Sequence, residues 1–88
     1  MKIRRIFYSS RFERSMKLLA VREKSTVIER EEIFKANCFD PRLKTHKLRG
    51  KLKEYWSFSL TYSHRVLFEF TEEDAVAFID VGDHSIYQ

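Results

Sequence analysis

A segment rich in basic residues lies in the middle of the chain and has the composition of a phosphate-binding surface. Residues 42–53, RLKTHKLRGKLK, contain six Lys or Arg residues and no acidic residue. Such a segment concentrates positive potential, which phosphate groups neutralise with release of counterions. Lysines also protect an exposed loop or edge strand from aggregation. Because Leu43, Leu48 and Leu52 are placed to anchor the segment to a core, we favour a binding surface.

Arg65 has the sequence setting of a rigid anion-binding side chain. It follows a predicted turn and lies in a strand whose opposite face is apolar. A guanidinium held in this way binds a phosphate through two parallel hydrogen bonds. The alternative is an ion pair with Glu54 or Glu69 across the sheet, which the position of Arg65 taken alone favours slightly.

Three further side chains have acid–base or stacking chemistry. His84 follows a strand end and a glycine, and imidazole exchanges protons readily near neutral pH. Tyr55 and Tyr87 have rings that stack on nucleobases and hydroxyls that transfer protons. The alternative for His84 is an ordinary surface position, and for the two tyrosines it is core packing.

The composition argues against several classes of protein. The histidines at positions 46, 64 and 84 are too irregularly spaced for a metal site, so we predict no metal and no other cofactor. The single cysteine, Cys38, cannot form an internal disulfide, and the N-terminal MKIRRIFYSS is charged, so we predict no signal peptide and a cytoplasmic location. No stretch approaches the roughly 18 apolar residues of a membrane helix.

The first part of the chain predicts a strand followed by a helix. Residues 2–8, KIRRIFY, are rich in β-branched and aromatic residues, which favours a short strand. Ser10 and Glu13 have the spacing of a capping box, and apolar residues then recur at helical spacing. We therefore predict a helix over about 10–20.

A second helix is predicted to begin near Ser25 or Thr26, because Thr26 and Glu29 form another possible capping box. It should stop before Asp40-Pro41, since proline disfavours helical geometry in the preceding residue. The predicted apolar stripe of this helix consists of Val27, Ile28 and Phe34. Together the two helices predict a hairpin that packs on a sheet.

From residue 55 the hydrophobic period changes to two, which predicts strands. A turn at Ser63-His64 connects the strand in 55–62 to a strand over 64–70, and an acidic turn at 71–74 leads to a last strand over 75–82. The predicted core face of the first of these strands consists of Trp56, Phe58, Leu60 and Tyr62.

The predicted elements assemble into one α+β domain over residues 1–88, in the order β-α-α-β-β-β. The helical hairpin packs on a small, twisted, mostly antiparallel sheet. The charge is polarised along the chain: 17 basic and seven acidic residues give positions 1–65 a charge of +10, and six acidic residues give the last 23 positions a charge of −6. An acidic, disordered segment of a partner protein would suit the basic part.

Three strings, HKLRGKLKEYWSF, HRVLFEF and DVGDHSIY, resemble the RelE/ParE toxin superfamily, most closely its mRNA-cleaving members of the RelE, YoeB and YafQ type. The resemblance covers essentially the whole chain. It implies a RelE-like fold and the toxin of a bacterial type II toxin–antitoxin module. It further implies a ribosome-dependent endoribonuclease that needs no metal ion and whose partners are a cognate antitoxin, the ribosome and messenger RNA.

The resemblance also implies roles for individual residues. Arg65 matches the arginine of the H-R-x-x-[FY] strand, His84 the histidine before the terminal aromatic, and His46 the histidine of the H-x-L-x-G segment. Tyr87 lies approximately where these toxins carry a C-terminal tyrosine, so these four residues are the predicted catalytic set. The predicted RNA-binding residues are Lys44, Lys47, Arg49, Lys51, Lys53 and Tyr55.

The chain departs from YoeB-like members, in which a glutamate base precedes the basic loop. Lys44 and Thr45 stand at the neighbouring positions here, and no acid lies between Asp40 and Glu54. Proton transfer is therefore expected from the two catalytic histidines, in either order. Two alternatives stay open: a ParE-type inhibitor that binds DNA gyrase without catalysis, and an inactive toxin-like binding module.

Overall fold

The computed structural model describes residues 1–87 of the chain. It contains two helices, five strands and three short 3₁₀ turns, at Pro41–Leu43, Gly50–Leu52 and His84–Tyr87. The helices are α1 (Ser10–Leu18) and α2 (Val21–Ala36); the strands are β1 (Arg5–Tyr8), β2 (His46–Lys47), β3 (Trp56–Ser59), β4 (Arg65–Glu72) and β5 (Ala75–Gly82). Neither helix in this range is long and apolar enough to cross a bilayer.

The five strands form one mixed sheet in the order β1-β5-β4-β3-β2. Strand β1 pairs with β5 in parallel, and the other three pairings are antiparallel. The first strand therefore lies beside the last, and the helical hairpin forms the connection between β1 and the rest of the sheet. The predicted α+β class, with two helices on an antiparallel-rich sheet, is confirmed.

Aromatic side chains dominate the contact between α2 and the sheet. The fully buried ring of Phe34 stacks on Phe58 with 4.9 Å between centroids, and it meets Phe68 and Phe78 edge-on at 5.0 and 5.4 Å. Offset and edge-on pairs of this kind add to the stabilisation from burial itself. This cluster holds α2 against the central strands, and so fixes the side chains that α2 presents at the sheet edge.

The capping residues of both helices differ from the predicted ones. In α1 the cap is Ser9, whose hydroxyl accepts from the Phe12 amide at 3.0 Å, because β1 delivers the chain to the helix in an extended conformation at that residue. Helix α2 begins at Val21, where the Glu23 carboxylate accepts from the Ala20 amide at 2.9 Å. The predicted Thr26–Glu29 cap is therefore wrong, since Thr26 lies inside the helix.

The inward stripe of α2 also differs from the predicted one. Val27 and Phe34 are buried, but Ile28 is 62% exposed. Two charged residues share the inward stripe with Val27 and Phe34 at spacings of three and four: Arg30, and Glu31, whose carboxylate accepts from the Tyr8 hydroxyl. Charged side chains therefore occupy positions where the helical period predicts apolar ones.

The strand predicted over residues 55–62 ends earlier than its alternation suggests. Strand β3 stops at Ser59, and a tight turn follows in which the Leu60 amide donates to the His64 carbonyl at 2.9 Å. Trp56, Phe58 and Leu60 do face the core, as predicted, but Tyr62 is 99% exposed. The turn reverses the chain before Tyr62, so the alternation no longer determines which way its ring points.

Candidate functional site

A cavity of about 690 Å³ lies at the end of β3, where side chains from α2, from the segment before β2 and from the last turn meet. Its volume is in the range of about 300–1,000 Å³ that is typical of ligand pockets. Within residues 1–87 no carboxylate lines it. The lining residues are Arg30, Arg42, Lys44, His46, Ser59, Leu60, Thr61, Tyr62, Arg65 and His84. The cavity is thus suited to an anion.

The sheet register brings three of the four predicted catalytic residues to this cavity. Strand β2 begins at His46, beside β3, and the last residue of β3, Ser59, pairs with Arg65 in β4. Arg65 in turn pairs with Gly82 in β5, and His84 follows two residues later. Side chains separated by up to 38 positions in the sequence therefore line one cavity.

Arg65 and His84 are in direct contact. An Arg65 Nη2 donor lies 3.3 Å from His84 Nε2. Because a guanidinium can only donate, His84 accepts through Nε2, which assigns its ring proton to Nδ1. Arg65 Nε is buried and has no hydrogen-bond partner among residues 1–87. The ion pair with Glu54 or Glu69 considered above does not form in this part of the chain.

His46 is oriented by the backbone immediately before it. Its Nδ1 lies 3.0 Å from the Lys44 carbonyl oxygen, which can only accept, so Nδ1 carries the proton and Nε2 keeps its lone pair in the neutral ring. Lys44 adopts a left-handed conformation with φ of 52°. Non-glycine residues rarely take this conformation, which here ends the 3₁₀ turn Pro41–Leu43. The turn at Lys44 thus directs its carbonyl towards His46.

Two arginines outside the predicted catalytic and RNA-binding sets also line the cavity: Arg42, the first residue of the basic segment, and Arg30. The Arg42 guanidinium forms a two-point ion pair with Asp40 at 3.0 and 2.9 Å, which lowers the pKa of the Asp40 carboxyl to about 2. Arg30 donates from Nη1 to the Arg42 carbonyl at 3.2 Å, and its Nε is buried without a partner among residues 1–87. The available signal for Arg30 was its place in the apolar stripe of α2.

Tyr62 was also not predicted from the sequence as a site residue, although it lies at the rim of the cavity. Its ring is 99% exposed beside the cationic lining, in the turn between β3 and β4. An exposed aromatic ring next to a phosphate-binding site offers a platform on which any nucleobase can stack. The misleading signal was its alternation with Trp56, Phe58 and Leu60, which favoured a core position.

The turn that carries His84 is held at three points, two on the sheet and one on α1. The Tyr87 hydroxyl hydrogen-bonds Ser57 Oγ at 2.7 Å, and Ile86 packs so closely on Gly82 that a Cβ there would come within 2.8 Å of the isoleucine side chain. The third point is Arg11 in α1, which donates to the Ile86 carbonyl at 3.2 Å. Tyr87 does not line the cavity; its ring meets the His84 ring edge-on, with 5.9 Å between centroids.

A buried carboxylate on β5 binds Arg11, the residue that contacts this turn. Asp80, which is 5% exposed, accepts from Arg11 Nε at 2.8 Å, from Ser15 Oγ at 2.5 Å and from the Val81 amide at 2.8 Å. Arg11 therefore joins α1 both to β5 and to the turn that carries His84.

The remaining predicted RNA-binding residues lie outside the cavity. Lys44 is the only one of the six that lines it. Lys47, Arg49, Lys51 and Lys53 are exposed on and after β2, and Tyr55 is half-buried. The segment folds back on itself where the Leu48 amide donates to the Tyr55 carbonyl at 3.0 Å, so these cations form an exposed strip that we call the basic strip.

Other chemistry has little support within residues 1–87. No group of three His, Cys, Asp or Glu side chains comes together there in a way that could hold a metal ion. Cys38 is fully buried, and this burial raises the pKa of its thiol, which disfavours the reactive thiolate.

Comparison with known proteins identifies the fold. No protein-family model and no curated protein matches the chain. Solved structures do match, and one of them is a YoeB/ParE toxin from Agrobacterium tumefaciens, with a TM-score of 0.79 and 16% identity over 92% of this chain and 99% of that one. The chain has a RelE-like toxin fold.

Two structures of complexes share this RelE-like fold. The E. coli DinJ-YafQ toxin–antitoxin complex matches with a TM-score of 0.75 and 19% identity, over 98% of this chain and 97% of the matched chain. The RelBE2 toxin–antitoxin complex from Mycobacterium tuberculosis matches with a TM-score of 0.71 and 19% identity, over 97% and 95% of the two chains. The expected RelE/YoeB/YafQ-type fold is thereby confirmed.

Proposed function

We propose that this protein is the toxin of a type II toxin–antitoxin module and that it cleaves messenger RNA on the ribosome without a metal ion. The observation that carries the proposal is the meeting of His46, Arg65 and His84 in one cavity, which no acidic residue of the described range 1–87 lines. Metal-free RNA cleavage needs a base, an acid and cations around the phosphate. The lining residues supply each of these groups.

His46 suits the role of general base. The Lys44 carbonyl fixes the proton on Nδ1, which leaves Nε2 free to accept the proton of a ribose 2′-hydroxyl. The 2′-oxygen then bonds to the adjacent phosphorus while the bond from phosphorus to the 5′-oxygen breaks. The products are a 2′,3′-cyclic phosphate and a free 5′-hydroxyl.

Arg65 suits the role of phosphate ligand, with His84 as the acid. Among residues 1–87, one buried N–H of Arg65 has no partner and a second donates to His84. A bound phosphate would accept from both, and this frees His84 Nε2 from Arg65. The phosphate charge then favours the protonated imidazole, which can donate a proton to the departing 5′-oxygen. Lys44 adds a further positive charge at the same cavity.

Tyr87 has a supporting role in this mechanism. Its hydroxyl is engaged with Ser57, and its ring abuts the His84 ring. We therefore assign Tyr87 to the orientation of His84, and leave the proton transfers to the two histidines. Orientation of the reacting groups supplies several kcal/mol in such reactions.

The proposed partners follow from charge and fold. An antitoxin is supported by the two similar structures, which are toxin–antitoxin complexes, and an acidic antitoxin segment would suit the cationic cavity. The basic strip, which stays exposed beside the cavity, is proposed to bind ribosomal RNA or the phosphates of the message.

The test is 5′-end mapping of a defined messenger RNA incubated with translating ribosomes and the purified protein. We expect discrete cuts in the decoding site that disappear with H46Q, with H84A and after saturation with the antitoxin. The matched control is H64Q, because His64 pairs with Glu23 of α2 and does not line the cavity. Absence of cuts with the wild-type protein would refute the nuclease, and inhibition of DNA gyrase in the same preparation would establish the ParE-type alternative.

A further inference from the structure

The helix layer contributes a cation to the cavity at a position where the fold calls for an apolar side chain. Arg30 lies on the inward stripe of α2, three residues after Val27 and four before Phe34, which are both buried. Charged side chains are rarely placed on such a stripe unless they are paired, because burial removes their hydration. We therefore expect an ionic or hydrogen-bond partner for the Arg30 guanidinium.

Within residues 1–87, the Arg30 guanidinium has only one hydrogen-bond partner. Arg30 donates one N–H to the Arg42 carbonyl, while its Nε is buried and makes no hydrogen bond within residues 1–87. No carboxylate in this range forms an ion pair with Arg30, and Asp40 is already engaged by the Arg42 guanidinium. Buried polar groups nearly always have partners, so an orphan N–H at a cavity wall indicates an absent acceptor.

A second guanidinium that lines the cavity also lacks a hydrogen-bond partner for its Nε. Arg65, from the sheet, also has a buried Nε without a partner among residues 1–87. Of the three guanidinium groups that line the cavity, Arg30 and Arg65 thus each keep an N–H that no acceptor within residues 1–87 engages, and they come from two different layers of the fold. Their surroundings differ: Arg65 contacts His84, whereas the hydrogen bond that Arg30 makes goes to a backbone carbonyl.

We propose that Arg30 binds a second phosphate of the RNA strand, adjacent to the phosphate at Arg65. This inference rests on the proposed function and extends it to the length of strand that the site holds. The cavity volume of about 690 Å³ exceeds the needs of a single phosphate. The phosphate at Arg30 stays uncleaved, because the group that Arg30 contacts is a backbone carbonyl, which neither gives nor takes a proton. Binding of this phosphate sets the register of the strand, so that the other phosphate meets the histidines.

Binding of uncleavable oligonucleotides tests this subsite apart from catalysis. The probes are a 2′-O-methyl tetranucleotide with three phosphodiesters and a 2′-O-methyl dinucleotide with one, each followed by fluorescence anisotropy as a function of salt. R30M is compared with R22M, which removes the same charge from an exposed position of α2 that does not line the cavity.

We expect R30M to bind the tetranucleotide about tenfold more weakly than R22M does, since a charge-assisted hydrogen bond is lost. The slope of log K against log salt should fall by about 0.7, the value for one phosphate contact on a single strand. The dinucleotide, whose one phosphate goes to Arg65, should bind R30M and R22M alike. R30K keeps the charge without the planar fork and should give an intermediate loss.

Several results would overturn the subsite. One is equal tetranucleotide affinity and salt slope for R30M and R22M, and another is an equal loss for both probes, which would place Arg30 at the same phosphate as Arg65. If R30M fails to melt cooperatively, R30K decides, and wild-type affinity for R30K counts against the proposal. Absence of tetranucleotide binding by the wild type also overturns it. The nuclease stands or falls separately, by the mapping of cuts on ribosomes.

Discussion

Replacement of Arg65 by methionine should separate the catalytic role of this residue from a structural one. Methionine keeps an unbranched stem of similar length and removes every N–H of the guanidinium. In the free protein, Arg65 makes one long hydrogen bond, at 3.3 Å, to the exposed His84, and it leaves Nε buried without a partner in residues 1–87. The folded state therefore gains little from the guanidinium that R65M removes.

R65M should leave the stability of the protein nearly unchanged but slow cleavage strongly. Removal of a buried unpartnered donor relieves a desolvation penalty of about 1–3 kcal/mol, offset in part by the lost contact with His84. We therefore expect the free energy of unfolding to stay within about 1 kcal/mol of the wild type or to rise. For a domain of this size, that corresponds to a Tm shift of at most about 4–8 °C. Loss of an oxyanion donor in the transition state, in contrast, should slow cleavage by at least about 100-fold.

The assay pairs initial cleavage rates on translating ribosomes with thermal unfolding of the same preparations. R14M is the control, because Arg14 is exposed on α1 and does not line the cavity, and the substitution removes the same charge. A cleavage rate for R65M within threefold of the R14M rate would refute the catalytic role. A Tm that falls by more than about 8 °C would show instead that the guanidinium stabilises the fold.

Three further predictions concern single side chains. Asp80 is buried and accepts three hydrogen bonds, so D80A should lower the free energy of unfolding by about 3 kcal/mol in urea titrations; a loss under about 1 kcal/mol would contradict this. The Asp40 carboxyl has its pKa lowered to about 2 by Arg42, so the pair stabilises the protein above the unfolded pKa of about 3.9, and this contribution is lost as pH falls through 2. The Tm difference between wild type and D40N should accordingly shrink between about pH 4 and pH 2, and a constant difference would exclude linkage to Asp40. Y62A should weaken tetranucleotide binding by about tenfold with an unchanged Tm, because the ring is 99% exposed, whereas Y62F should bind like the wild type; equal affinity for Y62A would exclude stacking.

The regular parts of the fold follow from local periodicity. Alternation predicts the strands around Trp56–Ser59, Arg65–Glu72 and Ala75–Gly82, and all three are present. Side chains along a strand alternate between its two faces, so a strand with one buried face has an apolar residue at every second position and can be recognised from the sequence. The helical spacing of buried residues similarly predicts two helices, and both form.

The ends of the elements are decided by contacts that the sequence pattern does not contain. Thr26 and Glu29 have capping spacing, yet α2 begins at Val21, because Glu23 both caps the Ala20 amide and pairs with His64 at 3.0 Å. His64 comes from the turn between β3 and β4, about 40 residues away. The same turn sends Tyr62 to the surface, against its alternation.

The sequence by itself determined the types of groups available for chemistry, and its resemblance to RelE-like toxins singled out His46, Arg65 and His84. Only the tertiary structure decided which of them meet: strand pairing brings these three to one cavity, while Tyr87 turns to Ser57 and most of the basic strip lies outside. Arg30 joins them because α2 packs across the sheet. Periodicity fixes which way a side chain faces along its own element, but the distance between elements depends on long-range pairing and packing, which no local spacing encodes.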